Sequence, residues 1–227
     1  MDFGFGVKTG VGVNPEARGR MATKAWYTRR QKGSFRGGFT LLAAIGQGAS
    51  TVTVTQLALA YATLANGGTL YQPQVVRSIE TSDGTIVQEF PPRVRRVVDI
   101  DPERLDLIHR ALKDVVRDKK GTAYKERISE VDLAGKTGTA QVTHVTPKGI
   151  DPDKVWYFNR DHAWFAGYAP ADAPEIAIVV LVEHGGGGGA NAVPVAMRVV
   201  RDWQHMKAER TAARDKDAAP PRKKATP

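Results

Sequence analysis

Cysteine is absent from the 227-residue chain, so disulfides and thiolate chemistry are excluded while the compartment stays open. Long apolar runs are absent too. The longest, residues 176–182, falls far short of the roughly 20 residues a membrane-spanning helix needs. The opening Met-Asp-Phe-Gly-Phe-Gly has neither a basic stretch nor an apolar core, so the chain is expected to carry no signal or anchor of its own. Histidine is scarce, and His144 and His184 have no carboxylate or cysteine at ligand spacing, so no metal site and no cofactor are expected. No internal repeat is visible.

What is present is a chain with 41% hydrophobic residues, enough for one sizeable core. Its net charge of +9 comes partly from the last segment, where Lys207, Arg210, Arg214, Lys216, Arg222, Lys223 and Lys224 outnumber the acids. Residues 207–227 are rich in Ala, Pro and Lys without apolar periodicity. They are expected to be a basic disordered tail rather than a nucleic-acid arm, which leaves residues 1–206 as the folded portion.

Residues 1–50 are Gly- and Arg-rich and read as a long irregular segment. A helix is expected over residues 53–68, with Thr53 as N-cap, Gln56 completing a capping box and Asn66-Gly67-Gly68 as the stop. Residues 74–80 and 85–90 flank Asp83-Gly84 and predict a hairpin. Asp101-Pro102 opens a second helix, with Leu105, Ile108, Leu112, Val115 and Val116 as its apolar stripe. Strands are expected over residues 131–142, 162–168 and 175–183. The last is apolar on both faces and is expected to be central in its sheet. A final helix spans residues 192–206. The order predicts an α+β fold, an antiparallel sheet packed with helices.

The chemistry-bearing motif is Lys136-Thr137-Gly138-Thr139, on the first of those three strands. A lysine, two hydroxyls and a side-chain-free backbone suit an extended peptide ending in a carboxylate: Lys136, Thr137 and Thr139 supply donors, and Gly138 lets the peptide approach. The Thr139 N–H can face a developing oxyanion. Lys-Thr-Gly is one third of a serine acyl-transfer signature. The other two thirds, Ser-x-x-Lys and Ser-x-Asn, do not occur: Ser34, Ser50, Ser78, Ser82 and Ser129 have neither lysine at +3 nor asparagine at +2. A second copy, Lys8-Thr9-Gly10, sits in a glycine-rich stretch and reads as a loop coincidence. A phosphate loop ending at Lys136-Thr137 fails because it needs glycine where Glu130 stands. Tyr157-Phe158-Asn159 mimics Ser-x-Asn but follows the Lys-Thr-Gly in the chain. His162 and Trp164 read as packing with a satisfied hydrogen bond.

Several blocks then carry a family likeness. They are Gly4-Phe5-Gly6 with Thr9-Gly10, Ala44-Ile45-Gly46-Gln47-Gly48, Thr53 through Gln56-Leu57-Ala58, Ala65-Asn66-Gly67-Gly68, Gly121-Thr122-Ala123, Gly135 through Gln141, and Asp161-His162-Ala163-Trp164-Phe165-Ala166-Gly167-Tyr168-Ala169-Pro170. In this order they resemble the C-terminal part of the transpeptidase domain of class B penicillin-binding proteins, elongation type. The resemblance implies a D,D-transpeptidase that cross-links peptidoglycan stem peptides and is acylated by β-lactams. It also implies a place at the extracytoplasmic face of the inner membrane and a glycosyltransferase partner there. Lys136, Thr137, Gly138 and Thr139 match the family's third motif and become the candidate substrate-binding residues. The serine and its lysine are not matched, so no catalytic residue is assigned. The chain is expected to be a piece of a longer transpeptidase, inactive by itself. The alternative is a non-catalytic module that binds muropeptides or a protein partner.

Overall fold

The structure, a computed structural model, describes residues 2–30, 35–142 and 156–218. It opens with two short helices, α1 (Lys24–Arg30) and α2 (Gly37–Ala44), inside the stretch expected to be irregular. An aromatic cluster makes them possible: Tyr27 is buried and stacks on Phe39 at 4.2 Å between ring centroids.

Helix α3 (Val54–Ala65) begins as expected. The Thr53 hydroxyl accepts from the Gln56 N–H, and the Gln56 carboxamide oxygen accepts from the Thr53 N–H. Gln56 is wholly buried, and its Nε2 also donates to the Val7 and Arg18 carbonyls, 2.7 Å each. One side chain thus caps a helix and anchors the N-terminal segment. The chain then forms β1 (Thr69–Gln72), β2 (Ser78–Glu80), β3 (Ile86–Glu89) and β4 (Arg93–Val97). β2 and β3 make the expected hairpin, closed by Gly84 at φ 86°. β1 pairs with β4 around it, antiparallel, a long-range partnership without local sequence signal. Helix α4 (Pro102–Arg117) is capped by Asp101, whose carboxylate accepts from the Arg104 N–H.

β5 (Ala134–Ala140), β6 (His162–Ala169) and β7 (Ile176–Val182) form an antiparallel sheet in the order β5-β6-β7. Two more helices, α5 (Gly188–Asn191) and α6 (Val193–Ala218), complete the fold. Tyr168 and Phe165 of β6 face opposite ways. Tyr168 packs with Leu112 of α4, Ala134, and Tyr61 and Ala65 of α3. Phe165 packs with Val116 of α4 and with Val193, Ala196, Met197 and Val200 of α6. The sheet is therefore sandwiched, α3 on one face and α6 on the other, as an α+β fold requires.

Two expectations are corrected. β7 is an edge strand among the described residues, not a central one; its two apolar faces answer to α3 and α6, which both touch it. The last helix does not stop at residue 206 but runs to Ala218, into the stretch expected to be a disordered tail. Ala, Lys, Glu and Arg there are strong helix formers, and the stretch holds no Gly or Pro. Residues 219–227, the remainder of the expected tail, lie outside the described residues.

Candidate functional site

Among the described residues β5 is an edge strand, hydrogen-bonded to β6 on one side. Its first half is clamped. A Cβ on Gly135 would lie 2.4 Å from Phe165 Cζ and 2.5 Å from the Ala166 carbonyl oxygen, so only glycine fits beneath the Phe165 ring. Lys136-Thr137-Gly138-Thr139 follow, in register with Ala166, Phe165, Trp164 and Ala163. Side chains alternate along a strand, so Thr137 and Thr139 share the Phe165 face and Lys136 lies on the Tyr168 face.

The structure brings the four candidate residues together at this edge. The Lys136 ammonium folds round the strand and donates to the Thr137 carbonyl at 2.9 Å, with Thr137 Oγ1 at 3.4 Å. Among the described residues Lys136 has no carboxylate within ion-pair distance. Thr137 Oγ1 is also 2.7 Å from Thr122 Oγ1, in the turn after α4. Thr139 Oγ1 accepts from the Gly188 N–H at 3.3 Å. Gly188 stands so close that a Cβ would meet the Gly138 carbonyl oxygen at 2.2 Å and that of Trp164 at 2.5 Å. The start of α5 is thus pressed flush on the β5–β6 backbone.

Gln47, Thr122 and Gly188 were not singled out from sequence as site residues. Gln47 Nε2 donates to the Thr139 carbonyl at 2.9 Å across 92 positions of chain. Its only local signal is the pair of glycines around it, Gly46 at φ 75° and Gly48 at φ 102°.

Other singled-out residues lie away from this edge chemistry. Thr9 of the second Lys-Thr-Gly is buried in a segment without strand structure, and its N–H donates to Glu16 Oε1 at 2.6 Å. Glu16 also accepts from the Thr9 hydroxyl and the Gly10 N–H, which holds its carboxyl below the usual range. His162 Nδ1 accepts from the His184 N–H at 2.8 Å, so that hydrogen bond is made, and His184 adopts φ 54°. Tyr157–Asn159 form a short exposed turn against His184. His144 lies outside the described residues.

The Lys-Thr-Gly thus lies on a strand that is, among the described residues, at the edge of a sandwiched antiparallel sheet. Comparison with known proteins gives the family. Residues 1–201 match the model of the penicillin-binding protein transpeptidase domain, and the chain belongs to that family. It is 37% identical over 202 residues to the peptidoglycan D,D-transpeptidase MrdA of Acinetobacter baumannii, covering 88% of this chain and 30% of that protein. Penicillin-binding protein 2 of Pseudomonas aeruginosa, solved with WCK 5153, superposes with a TM-score of 0.68 at 34% identity over 89% of this chain and 42% of that one. The Helicobacter pylori penicillin-binding protein 2, solved in complex with MreC, gives 0.71 at 30% identity over 90% of this chain and 34% of its own. The chain thus spans about a third of the curated relatives it matches. Among the described residues no helix is long and apolar enough to cross a membrane.

Proposed function

We propose that β5 is the peptide- and carboxylate-docking wall of a D,D-transpeptidase that cross-links peptidoglycan stem peptides. Lys136 attracts the terminal carboxylate, with the Thr137 and Thr139 hydroxyls as further donors. Gly138 admits the peptide backbone, and the Thr139 N–H serves the oxyanion. β-Lactams, acyl-amides bearing a carboxylate, take the same edge. The observation that carries this reading is the Lys136 ammonium, unpaired with any acid among the described residues and held beside a threonine hydroxyl on an edge strand. The working place of the whole protein is the extracytoplasmic face of the inner membrane, beside a glycosyltransferase.

Acyl transfer needs a serine with an adjacent lysine base, and the 227 residues contain no Ser-x-x-Lys. The chain by itself therefore binds without turnover. A fluorescent penicillin is expected to leave no covalent adduct on it, while N-acetyl-D-Ala-D-Ala perturbs the amide resonances of residues 136–139. Lys136→Ala should weaken that binding about tenfold, the loss of a charge-assisted contact. A stable penicilloyl adduct on a residue of this chain would overturn the assignment of roles. Peptide binding that ignores Lys136→Ala would overturn the docking edge.

A further inference from the structure

Among the described residues, the β5 carbonyls that take side-chain donors are those of Thr137 and Thr139. They are alternate residues, as the outward-facing set of an antiparallel edge strand must be. Lys136 Nζ covers the first and Gln47 Nε2 the second. A bare strand edge is a template for any extended chain. On this one, two neighbouring outward carbonyls, those of Thr137 and Thr139, are covered by groups that a ligand can displace.

The two covers differ in kind. Lys136 is drawn away by an incoming carboxylate, because an anion is a better partner for an ammonium than a carbonyl. Gln47 is neutral, so an anion has no such pull on it, and another hydrogen-bond donor must take its place at the carbonyl. Its loop is braced for this position. Gln47 N donates to the Leu42 carbonyl at 2.9 Å, Gly46 N to Ala43 at 3.1 Å, and Ala49 N to Tyr27 Oη at 3.4 Å. With Gly46 and Gly48 both in the left-handed region, the turn fixes the backbone while the carboxamide at its tip reaches the strand.

We infer that Gln47 is a specificity-determining positioning residue: its carboxamide guards the Thr139 carbonyl and yields it to the N–H of a peptide that is simultaneously held by its carboxylate. Strand addition to an edge draws its affinity from main-chain hydrogen bonds. A peptide without the terminal carboxylate must exchange one hydrogen bond at Thr139 for another and gains nothing from Lys136. A peptide with it recovers the exchange. The guard therefore filters out ordinary extended chains. This inference rests on the reading of β5 as the docking edge.

The test uses the full chain and two probes, N-acetyl-D-Ala-D-Ala and its C-terminal amide, titrated against the wild type, Gln47→Ala and Gln47→Met. Met keeps the length of Gln without the donor, so it reports if the alanine variant folds poorly. The expected result is that N-acetyl-D-Ala-D-Ala releases the Gln47 side-chain amide resonance in the wild type. Both variants should bind that probe about fivefold more tightly, the net effect of one competing hydrogen bond removed. Detectable binding of the C-terminal amide should appear in the variants first. A merely structural Gln47 predicts the opposite sign, weaker binding in both variants. Equal or weaker binding in the variants, with the resonances of residues 136–139 still responding, overturns the guard and leaves the docking edge standing. No response of those resonances in any of the three proteins overturns the docking edge and the guard with it.

Discussion

Two regions of this chain are antiparallel β structure and have little else in common. β6 is buried along most of its length, with Phe165, Tyr168, Ala163 and Ala169 inaccessible to solvent. β3 and β4 are exposed at every residue, and Val75, Val87 and Ile86 of the hairpin region show apolar side chains to solvent. Strand pairing is present in both. What separates them is cover: helices lie on both faces of the β5-β6-β7 sheet, while β2–β3 is, among the described residues, a two-stranded ribbon of its own. Two-stranded ribbons are marginal by themselves, so this one depends on its turn and its anchorage. The turn is well made. Asp83 accepts from the Thr81 hydroxyl and the Thr85 N–H, and those contacts hold its carboxyl below the usual range.

The contrast can be broken or sharpened by substitution. The largest effect is expected at the covered sheet: Phe165→Ala removes a fully buried ring touching both α4 and α6, and should cost about 4 kcal/mol in denaturant unfolding. A change near zero would mean that the sandwich is not the stability core. Gln56→Ala comes next, because it removes the acceptor of the Thr53 N–H in the capping box and leaves the Val7 and Arg18 carbonyls without their donor; about 2–3 kcal/mol is expected, with loss of protection in the N-terminal segment by hydrogen exchange.

Alkaline pH tests the same core from another side. Burial pushes both the Tyr61 and the Tyr168 phenol up to about 12. A raised folded pKa gives stability that is complete below the unfolded value near 10 and is lost as pH climbs toward 12, at up to about 1.4 kcal/mol per pH unit for each tyrosine. Tyr61→Phe should flatten the alkaline limb of a stability–pH curve; an unchanged limb would remove Tyr61 from the account. In acid the sign reverses. Glu16 and Asp172 have lowered pKa values, Glu16 through the Thr9 hydroxyl and Asp172 through Lys113 and then Arg117. Their contribution is present above the ordinary carboxylate range and fades as pH falls through the lowered values. Asp172 is exposed and Glu16 only half-buried, so the effect is small: the double variant Glu16→Gln, Asp172→Asn should shift the acid midpoint slightly and lose its salt dependence. The smallest effect belongs to the ribbon. Val87→Thr should stay within about 0.5 kcal/mol of wild type, and a larger loss would show that something covers this face.

What sequence could anticipate divides along the same line as local and remote contacts. The Thr53–Gln56 capping box, the Asp101 cap and the Asp83-Gly84 turn are interactions within four residues, and each stands where its pattern placed it. The three strands of the covered sheet were equally legible, because their apolar pattern records the two helical layers above and below. The sheet order was not. An apolar strand reads the same whether its flanks meet strands or only its faces meet helices, and β7 is the latter among the described residues. α1 and α2 escaped because their stability lies in Tyr27 stacking on Phe39 rather than in a periodic stripe. At the candidate site, Lys136 through Thr139 were singled out by their residue types. Gln47 and Thr122 were not, since each reaches β5 from another element and nothing in its neighbours announces the target.

Three glutamine carboxamides hold remote segments to the framework: Gln47 on Thr139, Gln56 on Val7 and Arg18, and Gln72 on Thr9 and Gly10. Such neutral fastenings do not titrate, and salt weakens them far less than it weakens surface ion pairs. Their vulnerability is hydrolytic. Deamidation turns each donor into a carboxylate facing a carbonyl, so chemical ageing at three side-chain nitrogens, rather than loss of the apolar core, is where the outer segments of this fold would first come loose.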